Sequence, residues 1–174
     1  MTAAQTPKRW QESGWHLWWL MVALVVADQF TKWLVVANMD LFSRINVLPF
    51  FDLVHVRNYG AAFSFLSDQG GWQRWFFTAI AIAISTVIAV LLRRQPKAMT
   101  TANWAFALIL GGALGNLIDR IRLGYVVDFL DFYVGSYHWP AFNVADSAIV
   151  IGAGLMIYEG FFGQSSKDAG KNAK

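Results

Sequence analysis

Of the 174 residues, 56% are hydrophobic and only 14% charged, whereas a soluble domain carries roughly a quarter charged residues. The mean hydropathy of +0.40 and net charge of +3 point to a lipid environment and give no surface for nucleic acid. The chain has no cysteine, which excludes disulfides, thiolate metal sites and a cysteine nucleophile.

A membrane-crossing helix needs ~20 mainly apolar residues to traverse ~30 Å of hydrocarbon. The first candidate span covers about 15–37, "WHLWWLMVALVVADQFTKWLVVA", behind Lys8 and Arg9. It imitates a secretory signal ending in "VVA", but its apolar run resumes after Lys32. That exceeds a signal core of ~7–15 residues, so an uncleaved anchor is the better reading. Asp28 and Lys32 stand four residues apart, on one helix face, as a structural ion pair would.

The first outer loop, 39–73, contains "FFDLVHVRN", whose partial alternation predicts a strand. "NYGAAFSF" follows, where Asn58 and Gly60 permit a turn, and "SDQGG" breaks the chain. A small sheet on the outer membrane surface is expected. Span two, about 75–92, is free of charge and closed by Arg93 and Arg94. Span three, about 102–121, carries Gly111 and Gly115 at a helix-packing spacing and ends in the polar run Asn116, Asp119, Arg120.

The second outer loop, 122–140, is rich in aromatic residues, which suit the headgroup level. Span four, about 141–162, is the weakest, with 12 residues between Asp146 and Glu159. The tail 164–174 is polar, and disorder is expected there. Lys8, Arg9, Arg93, Arg94, Lys97, Lys167, Lys171 and Lys174 fall on one side. Arg44, Arg57, Arg74, Arg120 and Arg122 fall on the other. The positive-inside rule then puts both termini in the cytoplasm. The expected fold is a single all-α integral membrane domain of four transmembrane helices, with a small extracytoplasmic β-sheet element.

Acids at membrane depth are functional candidates by default. Asp119 has a plain alternative as part of a helix-ending polar cluster. Asp146, three residues after Asn143, could simply sit in a first helical turn. That alternative explains Asp128 poorly, because "YVVDFL" flanks it with apolar residues and no Lys or Arg lies within four positions. Both acids belong to the same outer side, and their carboxyl groups are expected to converge there from consecutive helices. Two carboxylates ~3 Å apart share one proton, leaving one base and one acid. His16, His55 and His138 are scattered without metal-ligand spacing, and neither a metal nor a cofactor is expected.

Five blocks in order carry a family pattern: "ADQFTKW" at 27–33, "NYGAAFS" at 58–64, "GGALGNLIDR" at 111–120, "VVDF" at 126–129 and "AFNVADSAI" at 141–149. Through them the chain resembles the lipoprotein signal peptidases, or signal peptidase II, over nearly all of residues 15–162. The resemblance implies an aspartic endopeptidase of the bacterial cytoplasmic membrane. It would cut prolipoproteins just before a cysteine that already bears diacylglycerol. Asp128 and Asp146 would be the catalytic pair. Asn58, Gly60, Asn116, Asp119, Arg120 and Asn143 would shape the site, and Asp28 and Lys32 would support it. Membrane lipid and a globomycin-type inhibitor are the other implied partners, and a monomer suffices. His55, Asp131 and the aromatic run 132–139 receive no role. A proton-coupled transporter and a non-catalytic scaffold are the rival readings; the first predicts acids near the midplane.

Overall fold

A computed structural model describes residues 12–60 and 72–162. The part of the first outer loop holding "SDQGG" and the tail 164–174 lie outside the described residues. Four helices are long and apolar enough to cross a membrane: α1 Trp18–Asn38, α2 Trp72–Arg94, α3 Thr101–Arg122 and α4 Val144–Phe162. In hydrocarbon a helix is the form in which one segment satisfies all its own backbone groups, so these apolar runs have no competing local structure. A short 3-10 turn, Gly14–Leu17, leads into α1. Thr100 caps α3 by accepting from the backbone N–H of Asn103. The fourth helix begins at Val144 because Asn143, just before it, serves as its cap.

Helix α3 is the centre of the bundle: 56% of its apolar window is buried, against 17–22% for the other three. Its glycines are what let the neighbours close in. A Cβ on Gly111 would lie 3.0 Å from the Leu24 side chain of α1, and one on Gly112 only 2.3 Å from the Ala145 carbonyl of α4. The GxxxG spacing thus serves packing. Gly112→Ala must push α4 away, because the obstacle is backbone rather than a flexible side chain. We expect it to cost about 1–3 kcal/mol and to lower the thermal unfolding midpoint in detergent. Gly154→Ala, with nothing within 4 Å of the added carbon, is the matched control and should leave the midpoint in place.

At the end of the bundle where α1 and α3 stop and α4 starts, the chain forms a four-stranded antiparallel sheet in the order β1-β2-β3-β4. The strands are β1 Arg44–Leu48, β2 Phe51–Asn58, β3 Val126–Val134 and β4 Tyr137–His138. Strand β2 lies where the alternation placed one. Strand β3 falls in what the sequence presents as an aromatic loop: its near-continuous apolar run lacks the alternation of a half-exposed strand, since one stretch of it is buried throughout. Four helices with a small sheet are as expected, and only the term all-α is too loose for a chain with four strands. The sheet links the segment between α1 and α2 to the one between α3 and α4, and one of the two acids of interest rides on it.

The sheet is pinned to the bundle by Val35, Val127 and Phe129 and by His55, whose Nδ1 lies 2.9 Å from the Met39 carbonyl oxygen. Within it, Asp52 and Asp131 face one another across β2 and β3, both buried. Like charges in that position repel. Arg44 resolves the conflict, with Nη1 2.5 Å from Asp52 and 2.9 Å from Asp131. Burial alone would raise the pKa of Asp52, but hydrogen bonds from Asn46 and Arg44 hold it below the usual carboxylate value. His138 completes the cluster, 3.0 Å from Asp131.

Candidate active site

The ten residues singled out in the sequence gather at the junction of sheet and bundle. Asp28 and Lys32 come from α1, Asn58 from the end of β2, and Gly60 from the turn after it. Asn116, Asp119 and Arg120 come from the last turns of α3. Asp128 lies near the start of β3, and Asp146 in the first turn of α4. The two acids therefore do not arrive from consecutive helices. One arrives on a strand, whose backbone is fixed by β2 through the Val56–Asp128 pairing.

The side chain of Asn143 joins them. Its Nδ2 donates to Asp128 Oδ1 at 2.7 Å, and its backbone N–H donates to Asp146 Oδ2 at 3.3 Å. In return its Oδ1 accepts from the Asp146 N–H at 2.9 Å. This reciprocal bonding is a capping box, which satisfies two of the free donors at a helix start. The first-turn reading of Asp146 is thus met geometrically, and the same Asn143 contacts both acids.

Each acid has a further amide donor. Asn116 Nδ2 donates to Asp146 Oδ1 at 2.7 Å, and Asn58 Nδ2 to Asp128 Oδ2 at 2.9 Å. Asn58 is oriented by the turn after it: its Oδ1 accepts from the Gly60 N–H at 2.8 Å. Gly60 has φ +96°, and a Cβ there would lie 2.4 Å from the Phe77 ring, so both conformation and space require glycine. Asp128 is nearly sealed from solvent, at 2% exposure. Burial first, and the neighbouring Asp146 second, push its pKa up to about 7.

Beneath the acids lies a buried ionic layer. Lys32 Nζ contacts Asp28 at 2.8 Å and Asp119 at 3.0 Å, and donates to Asn116 Oδ1 at 2.9 Å. The i,i+4 pair is real but is half of a larger device. Asp28 also accepts from the Ala145 N–H, and Asp119 from the Val127 N–H. One ammonium group with its two carboxylates thereby fixes the positions of α4 and β3 next to the residues that carry the acids. Arg120 reaches back to the Asn116 carbonyl at 3.3 Å, and its Nε has no partner among the described residues.

Two contributors went unnoticed in the sequence. Gln29 donates to Asp119 at 2.8 Å and to the Gly115 carbonyl at 3.2 Å. An amide next to Asp28 inside an apolar span was the available signal. Arg74 donates to the carbonyls of Arg120 at 3.1 Å and Ile121 at 2.5 Å, tying α2 to the end of α3. Nothing local distinguishes it from a flanking cation.

Comparison with known proteins identifies the family. A family model described as signal peptidase (SPase) II matches residues 20–162. A lipoprotein signal peptidase of Shewanella loihica is 55% identical over 168 residues, covering 97% of this chain and 99% of the relative. Another, of Shewanella oneidensis, is 52% identical over 169 residues, with the same coverage of both chains. A solved bacterial membrane enzyme superposes with a TM-score of 0.74 at 34% identity, covering 84% of this chain and 88% of the other. The family match over most of the chain and the near-full-length relatives together place it: this chain belongs to the signal peptidase II family, the lipoprotein signal peptidases.

Proposed function

We propose that this protein is a membrane aspartic endopeptidase that removes the signal peptide from diacylglyceryl-modified prolipoproteins, cutting just before the lipidated cysteine. The observation that carries the chemistry is the contact of Asp128 and Asp146 with the same Asn143; Asp146 also helps to push the pKa of Asp128 up, as expected of two carboxyl groups that share a proton. The ionised member takes a proton from water, and the water oxygen attacks the scissile carbonyl. The protonated member donates to the carbonyl oxygen. Return of these protons expels the amine of the lipidated cysteine. Arg120, with a buried and unpartnered Nε, is available to hold the substrate backbone.

Both acids lie at one end of the bundle, beside the sheet, rather than midway along the spans. That position suits a bond near the headgroups of the outer leaflet and does not favour a transport pathway. The charge distribution supports a single multi-pass domain in the bacterial cytoplasmic membrane, with both termini cytoplasmic and the site near the outer face. The diacylglyceryl chains would lie in lipid against the helices, and that remote binding would position the peptide bond. A globomycin-type inhibitor would block the dyad, and a monomer is sufficient.

The test is gel-shift cleavage of a diacylglyceryl-modified prolipoprotein by the full chain in detergent, beside an unlipidated control. Wild type should process the lipidated substrate and leave the control largely intact. Equal cleavage of both would remove the lipid requirement. Full activity in Asp128→Asn or Asp146→Asn would remove the dyad.

A further inference from the structure

The two acids receive the same number of amide donors, so donor count does not divide their roles. Their surroundings do. Three side-chain amides touch them, and all three orientations are forced. Lys32 has only protons to offer, so the Asn116 atom facing it is the oxygen, and the Asn116 NH2 must face Asp146. The Asp146 N–H fixes Asn143, and the Gly60 N–H fixes Asn58. The chain Lys32–Asn116–Asp146 is therefore a directed one: an ammonium polarises an amide whose protons point at one carboxylate. Asp128 has no such link. Its donors are neutral amides, and the nearer one, Asn143 Nδ2, is shared with the Val127 carbonyl and Asn116 Oδ1, both at 3.2 Å.

Two further features act in the same direction. Asp146 lies in the first turn of α4, where the helix dipole favours negative charge, whereas Asp128 lies on a strand. Asp146 is half-buried while Asp128 is nearly sealed, so a charge costs more on Asp128.

We infer that Asp146 is the base and Asp128 the proton donor, and that Asn116 is a positioning residue that imposes this order by carrying the influence of Lys32 to Asp146; the inference rests on the proteolytic reading above. In the forward step the Asp146 carboxylate takes a proton from water as the C–O bond forms, and the Asp128 hydroxyl protonates the carbonyl oxygen. In the second step Asp128 recovers a proton from the resulting diol. Asp146 passes its own to the amide nitrogen as the C–N bond breaks, and the dyad returns to its starting state. Besides each other, the charged groups that act on the pair are Lys32 from α1 and Arg120 from α3, on both acids, and Asp28 from α1, on Asp146; the hydrogen-bonded relay through Asn116 is what Lys32 offers to Asp146 alone, and β2 supplies the neutral Asn58.

The experiment is the pH profile of kcat/KM for the full chain in detergent, with wild type, Asn116→Ala and Asn58→Ala. The acidic limb reports the base losing its proton and the alkaline limb the acid losing its own. Asn116→Ala should move the acidic limb up by about one pH unit and leave the alkaline limb in place. Asn58→Ala should move the alkaline limb up and leave the acidic limb in place. The opposite pattern, or a uniform loss of rate with both limbs fixed, overturns the assignment. Should either variant fail to fold, carbon-13 titration of labelled aspartates in wild type decides it, with signals assigned by loss in Asp128→Asn and Asp146→Asn. Asp146 must titrate at the lower pH, and the reverse order overturns the inference. Wild-type cleavage by both Asn variants would instead sink the proteolytic reading itself, so the two failures are distinguishable.

Discussion

Asp128→Asn and Asp146→Asn should each lower kcat for lipidated prolipoprotein by about 10²–10⁴-fold, the usual contribution of a positioned acid or base. The loss should fall on kcat more than on KM, because neither group is asked to bind substrate in the ground state. An amide fits either carboxyl site without a change of volume, so folding should survive. For Asp128 the effect on stability has a definite sign. Its folded pKa, about 7, lies above the ordinary carboxylate value of 3.8. The folded state therefore binds the proton more tightly than the unfolded state. Stability from this group is full below about pH 4 and is lost as pH rises through 7. Asp128→Asn removes that loss, so the variant should melt no lower than wild type at pH 5 and higher at pH 8. A variant less stable than wild type at pH 8 would contradict the burial argument, and one that kept full activity would contradict the role given to this residue.

Lys32→Met is expected to do the larger damage to the fold. The ammonium is buried, at 3% exposure, between Asp28 and Asp119, themselves at 1% and 2%. Removing one partner of a buried ionic set leaves the others uncompensated and costs about 3–5 kcal/mol. The consequences are directional, because Asp28 holds the Ala145 N–H and Asp119 the Val127 N–H. Loss of Lys32 should therefore loosen the start of α4 and the start of β3 together. Hydrogen exchange at Ala145 and Val127 and the unfolding midpoint in detergent check this. The double variant Lys32→Met with Asp28→Asn should recover part of the loss, since one stranded charge is gone. An unchanged midpoint in the single variant would mean that water reaches this layer and that the ionic account of the junction is wrong.

Much of the architecture was legible in the primary structure because crossing a membrane is a local demand. Each residue of a span such as α2 must be apolar whatever it packs against, so an uncharged run declares itself without knowledge of its neighbours. The same demand made Asp28, Lys32, Asp119 and Asp146 conspicuous. Strand β2 announced itself by alternation. Strand β3 did not: its buried positions erase the period, and its apolar run reads equally as loop, helix or strand.

The chain order of residues marked out four long apolar helices and a short set of polar groups too costly to leave in lipid without a purpose. What those groups touch was decided only by the tertiary arrangement. Lys32 has one acid four residues away and another from α3; the second depends on how closely Gly111 and Gly115 let α1 and α3 approach. Asn143 reaches Asp128 because Phe142, just before α4, pairs with Leu130 of β3. Asn116 faces Asp146 because a lysine occupies its other end. Hydropathy is a property each residue carries alone, while a hydrogen-bond partner is a property of two surfaces in register, and packing sets that register.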